Sequence, residues 1–215
     1  MSMIWMRMPG QNWLSASAMF LFMWLAMMVA MMLPSAFPML FTFRRSLMQQ
    51  EPRFASASTW LVACGYFLIW TTMGVVVYAA GGSLAFAAMR WPGVSSAMPL
   101  LGGASLIVAG VFQLTRWKRN ALNHCRDSLT CRLPENGIAG SAALKHGLNQ
   151  GLFCGICCSG LMIALLAAGM MNPLVMLAIA VVIALEKLLP NPKPIIRLTG
   201  ITAILAGIAM MLAAL

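Results

Sequence analysis

Six apolar runs alternate with short polar connections along the chain, each close to the ~20 residues that a bilayer core of about 30 Å requires. The first covers residues 13–33 and carries on to Phe43 across Pro34 and Pro38; the others cover 59–80, 98–115, 147–170, 173–189 and 195–215. This spacing predicts an all-α, polytopic transmembrane helix bundle, with residues 1–215 as a single membrane domain and no soluble domain. The run after Arg7 is longer than the apolar core of a secretory leader and continues to Phe43, so it is expected to be retained.

Within the fourth run the pattern becomes more specific. At about 100° per residue, Gly147, Gly151 and Gly155 form one helical stripe, with Cys154, Cys158 and Met162 on or beside it. Small residues at every fourth position let another membrane helix approach closely. The stripe should therefore face protein, and carry its thiols inward. Cys157 lies roughly 80° to one side, a position from which it either shares that site or faces another helix.

Composition supports the membrane reading: 61% of residues are apolar and 8% are charged. A net charge of +10 would suit a nucleic-acid partner if it were clustered, but the basic residues stand between apolar runs and read as topology signals. With the N-terminus outside, Arg44, Arg45, Arg53, Arg116, Lys118, Arg119, Arg126, Arg132, Lys145, Lys187, Lys193 and Arg197 fall on the cytoplasmic side. Only Arg7 and Arg90 remain outside. The expected location is the inner membrane of a bacterium, with both termini extracytoplasmic and the lipid bilayer as the first partner.

Candidate chemistry gathers at one depth. Gln113 ends the third run, Cys154, Cys157 and Cys158 lie in the inner half of the fourth, and Glu186 lies near the end of the fifth. A carboxylate at the edge of a span is a functional candidate unless it is paired, here with Lys187 or with water. The first run carries Met23, Met27 and Met31 at every fourth position, with Met28 and Met32 on an adjoining face. With 21 Met in 215 residues, thioether donors are a real alternative to simple gap-filling. The two prolines predict a broken helix there. The connection after the third run holds His124, Cys125, Cys131 and His146, where imidazole and thiol ligands are adjacent but the basic neighbours imply a wet loop. Cys64 reads as a small buried apolar residue, and residues 81–99 as an interfacial connection. Asn172 and Pro173 read as the cap and first residue of the fifth helix. Disulfides are not expected at cytoplasmic thiols.

These residues also carry a family likeness. Ala26-Met27-Met28, Ala30 to Pro34, Gly65-Tyr66, Ala109 to Gln113 with Lys118, and Leu122 with Cys125-Arg126 resemble a bacterial family of predicted metal-binding integral membrane proteins, the DUF2182 domain family. The likeness continues through Gly151 to Cys154, Cys157-Cys158, Leu161-Met162, Gly169 to Asn172 and Glu186-Lys187. It implies a multi-span membrane protein with a thiol-bearing, copper-related site. Ala121 stands where the family has Cys, and Ser159 where it has Trp. The first change removes a candidate ligand, for which His124 can substitute.

Three functions fit. In the first, Cys154, Cys157 and Cys158 bind a soft ion, with Met162, Met27 and Met31 as weaker donors, and Glu186 or Gln113 orienting the ligands. His124 and Cys125 offer a further imidazole and thiol. Thiolate and thioether together favour Cu(I), and zinc is served less well because thioethers add nothing for it. Such a protein is a chaperone, insertion factor or transporter that hands metal to a membrane or periplasmic protein. The second is a thiol–disulfide carrier using Cys154-Gly155-Ile156-Cys157, with Cys64 as the one partner thiol on another span. The third is an assembly subunit whose cysteines merely fill a tight helix interface. No catalytic constellation, nucleotide-binding loop or nucleic-acid partner is expected.

Overall fold

The computed structural model describes residues 12–50, 52–127, 140–168 and 172–214. Within them lie eight helices and no strand: α1 (Trp13–Gln50), α2 (Ala55–Arg90), α3 (Pro92–Ser96), α4 (Met98–Leu114), α5 (Arg116–Asp127), α6 (Ser141–Ala168), α7 (Pro173–Leu188) and α8 (Lys193–Leu212). The architecture is all-α, as the apolar pattern predicts. α1, α2, α6 and α8 are each long and apolar enough to cross a membrane. α4 and α5, bent by 62° at their junction, form a fifth candidate if they count as one span. The chain is a membrane protein.

Helix α6 lies at the centre, packed against α2, α4, α5 and α7. Its glycine stripe works as a close-contact face. A methyl group on Gly147 would run into the Val62 carbonyl, and one on Gly151 would sit 2.8 Å from the Tyr66 carbonyl oxygen. Backbone-to-backbone approach of this kind gives α2 and α6 the dispersion contact that replaces a hydrophobic driving force in lipid. The periphery repeats the device, since a methyl on Gly103 of α4 would lie 2.8 Å from the Gly207 oxygen of α8.

Four local expectations change. α1 runs unbroken through Pro34 and Pro38. A proline removes one backbone bond, and the stripe of Trp24, Met28, Met32, Ala36, Met39 and Phe43 buried on the inner side holds the rest of the helix in place. Pro34 itself is on the exposed side. α2 continues to Arg90 instead of ending near Ala80, because no proline interrupts it until Pro92, which opens α3. Cys64 is exposed instead of buried, since Val62, Gly65 and Tyr66 are the residues that face inward on this turn.

The fourth change matters most for chemistry. The connection holding His124 and Cys125 is not a wet loop but helix α5, which buries Lys118, Ala121, Leu122 and Cys125. That spacing of three, four and seven residues is one helical stripe, and Arg116, Arg119, Asn123 and His124 occupy the exposed side. α7 starts as expected: Asn172 Oδ1 accepts from the Leu174 and Val175 amides at 3.0 and 3.4 Å, and Pro173 follows it.

Candidate metal centre

Cys154, Cys157 and Cys158 occupy one turn of α6, and spacings of three and four residues bring side chains together on a helix. Their sulfurs all lie within 4.8 Å of one another, and all three side chains are buried. Cys157 and Cys158 are 3.6 Å apart, Sγ to Sγ. A fourth sulfur arrives from another element, with Cys125 of α5 3.8 Å from Cys157. Cys157, roughly 80° off the glycine stripe, therefore faces α5 and joins the cluster from that side.

The surroundings of Cys154 are polar in a selective way. Lys187 of α7 donates from Nζ to its sulfur at 2.9 Å, and the Tyr66 hydroxyl of α2 lies 3.0 Å from the same atom. Lys187 also donates to the Ser35 hydroxyl of α1 at 3.3 Å. The ammonium brings fixed positive charge against sulfur in a core where charge is poorly screened, so anionic sulfur there is compensated. Between these groups lies a cavity of about 10 Å³, lined by Ser35, Met39, Tyr66, Cys125, Gln150, Cys154 and Lys187 among others.

The remaining candidates divide into two groups. Met31 and Met162 are buried in the same apolar cluster as the cysteines, and Met27 packs against it half-buried. Glu186 and Gln113 form a separate network beside the sulfur site. Glu186 accepts from Lys118 Nζ and from Gln113 Nε2, each at 2.7 Å, and Gln113 donates also to Thr199 at 3.1 Å. Lys118 and Glu186 side chains are 0% and 4% exposed. This is a desolvated ion pair, and it ties α4, α5, α7 and α8 together. The partner of Glu186 is thus Lys118, with Lys187 turned to Cys154 instead. His124 is exposed and its ring lies against Phe153, tilted by 34° with centroids 3.8 Å apart, so the fold does not bring it into the cysteine cluster. His146 stacks on Phe43. Cys131 lies outside the described residues.

The sequence places Lys187 among the cytoplasmic charges, in the family likeness and as one of two alternative partners for Glu186, but not at the sulfur site. A lysine at the end of an apolar span requires a partner as much as a carboxylate does, and applying that rule to both residues would have singled it out. Tyr66 and Ser35 gave no such signal. A hydroxyl in an apolar run is common, and only tertiary packing turns these two toward Cys154.

A family model described as PpoB2, copper chaperone, matches residues 21–210. The chain belongs to this family. The match spans the cysteine turn, Cys125, Lys187 and the Glu186 network, so the whole candidate site lies inside the matched region. No curated protein and no solved structure matches the chain. Copper is the ion its family description names, and chaperoning is a role without catalysis. The buried thiols of Cys154, Cys157 and Cys158 form a donor set suited to that ion.

Proposed function

We propose that this membrane protein carries Cu(I) on Cys154, Cys157 and Cys158 and hands it to a copper-requiring protein at or beyond the bilayer. The observation that supports this most directly is the set of three buried sulfurs within 4.8 Å of one another on one helical turn. Soft thiolate donors, few ligands and exclusion of water suit Cu(I), which needs no more than two or three sulfurs. A tetrahedral zinc site takes four ligands, and Cys125 beside the triad offers a fourth thiol; the choice of copper over zinc therefore rests on the family description, which names copper. The thiol–disulfide carrier reading relied on Cys64, which is exposed on the far side of α2.

Each neighbour then has a task. Lys187 offsets part of the negative charge that a copper–thiolate centre carries, and the Tyr66 hydroxyl orients Cys154. Met31 and Met162 give the site a soft, polarizable wall and stand as reserve thioether donors. Glu186, Gln113 and Lys118 act at a distance, by fixing α7 and α5 so that Lys187 and Cys125 point at the sulfurs. We read the metal-binding membrane family that the sequence resembles and the copper chaperone family as one family, since they agree in ion class and in membrane placement.

The test is metal content. Protein purified in detergent under reducing conditions and loaded with Cu(I) should hold one copper per chain, and replacing Cys154, Cys157 and Cys158 together by Ser should abolish it. Retention of copper by the triple variant would move the site elsewhere.

A further inference from the structure

Cys125 differs from the other three cysteines in the element that carries it. The triad belongs to α6, the most enclosed helix of the bundle, whereas Cys125 sits near the end of α5, a short amphipathic helix whose opposite side is exposed. α5 is joined to α4 through a 62° bend at Thr115, whose extended backbone (φ −70°, ψ 157°) ends α4. The Cys125 sulfur is 3.8 Å from that of Cys157, and it borders the same cavity as Cys154, Met39 and Gln150. Gln150 holds this end of α5 by donating to the Cys125 carbonyl at 3.4 Å. The set of sulfurs mutually within 4.8 Å consists of Cys154, Cys157 and Cys158. Cys125 therefore stands at the border between the buried triad and the exposed helix, touching the triad at Cys157 and interacting with Cys154 as well.

We propose that Cys125 is a transfer ligand: copper passes between an outer Cys125–Cys157 pair and the inner triad, with Cys157 common to both. The proposal rests on the triad reading above and adds the route by which the ion reaches it. Three-coordinate thiolate exchange proceeds by adding one sulfur and losing another, so a fourth thiol adjacent to the set lowers the barrier without deepening the site. In the outward step a Cys125–Cu bond forms as the Cu–Cys158 bond breaks, and the Cu–Cys154 bond then breaks to leave copper on Cys125 and Cys157. The proton that Cys125 gives up passes to the Cys158 thiolate, Cys154 leaves as a thiolate held against Lys187, copper stays Cu(I), and no electron moves. Lys187, held against Cys154, favours the return of anionic sulfur to the inner position. Met39, on the cavity wall, offers a thioether on the way.

A transfer ligand and a permanent ligand have different signatures, because a group that only lowers the barrier changes loading and release alike and leaves their ratio alone. The experiment follows anaerobic exchange of copper between the full-length protein in detergent and the chromophoric Cu(I) chelator bicinchoninate. For Cys125→Ser we expect one copper per chain at an affinity within about threefold of wild type, with loading and release both slowed by about tenfold or more. Exchange rates within about twofold of wild type, or an affinity weakened as much as the release rate is changed, would overturn the proposal.

A second measurement needs no variant. Thiol alkylation of the wild-type protein, mapped by peptide mass, should become slower at Cys154, Cys157 and Cys158 when copper is bound and stay unchanged at Cys125. Equal protection of all four would make Cys125 a resident ligand and contradict the transfer role. Failure of the triad reading looks different: the triple serine variant would then exchange copper as the wild type does.

Discussion

Lys187 shows how one residue ties the electrostatics of the site to its chemistry. A buried ammonium 2.9 Å from Cys154 Sγ is a costly placement unless negative sulfur faces it, so the cation and the thiols account for each other. Lys187→Met keeps the length and apolar stem while removing the charge. It should lower Cu(I) affinity by about ten- to a hundredfold, the usual effect of losing a group that supports metal ligands. Competition against a Cu(I) chelator measures it, and unchanged affinity would deny Lys187 this part. The neighbouring residue has another function, since Glu186 turns to Lys118 and Gln113. Two adjacent charges at the end of α7 thus serve two networks. Residue type and depth alone were enough to mark Glu186 and the cysteines as candidates. The direction in which each side chain points depends on neighbouring helices, which is why the sequence leaves Lys187 and water as alternative partners for Glu186 and counts His124 among the ligands, while the fold pairs Glu186 with Lys118 and turns His124 to Phe153.

At the scale of elements, the glycine stripe of α6 was readable because a period of four in small residues has one common physical use in membranes. The contact it makes with α2 brings Tyr66 to Cys154 and sets the position of the cysteine turn. Gly147→Leu should force the two helices apart at the Val62 carbonyl and lower both thermal stability in detergent and copper retention. Gly82→Ala on α2, where an added methyl meets nothing within 4 Å, serves as the control. It should be neutral or stabilise by about 0.5–1 kcal/mol through helix propensity. Similar losses in both variants would show that the close approach at Gly147 has no special role. α5 was illegible for the opposite reason. Its basic composition suggested a loop, while the information lay in the period of Lys118, Ala121, Leu122 and Cys125, a stripe short enough to be overlooked between two apolar spans.

For the whole molecule, the count of crossings is where sequence and structure bear on each other. Six spans with both termini outside require α4 and α7 to cross, although they have only 17 and 16 residues. At 1.5 Å per residue these reach about 24–26 Å, somewhat less than a hydrocarbon core of about 30 Å, and local thinning or flanking residues absorb the difference. We propose that topology, with α5 and the basic connections on the cytoplasmic side, from the charge bias alone. A C-terminal tag should then be digested by protease added to intact spheroplasts, and protection of the tag would invert or alter the arrangement. The apolar pattern predicted the all-α bundle and the approximate position of most helices. It did not predict that α1 and α2 extend to 38 and 36 residues, because helix ends are decided by stops such as Pro92 more than by where hydrophobicity falls.

The central claim is that buried cysteine sulfurs hold copper in its reduced state. X-ray absorption at the copper edge of the loaded, detergent-purified protein tests it most directly. The account predicts a Cu(I) edge with an all-sulfur first shell that is lost when Cys154, Cys157 and Cys158 are replaced by Ser. A shell of nitrogen or oxygen donors, or a spectrum that the triple replacement leaves unchanged, would contradict it.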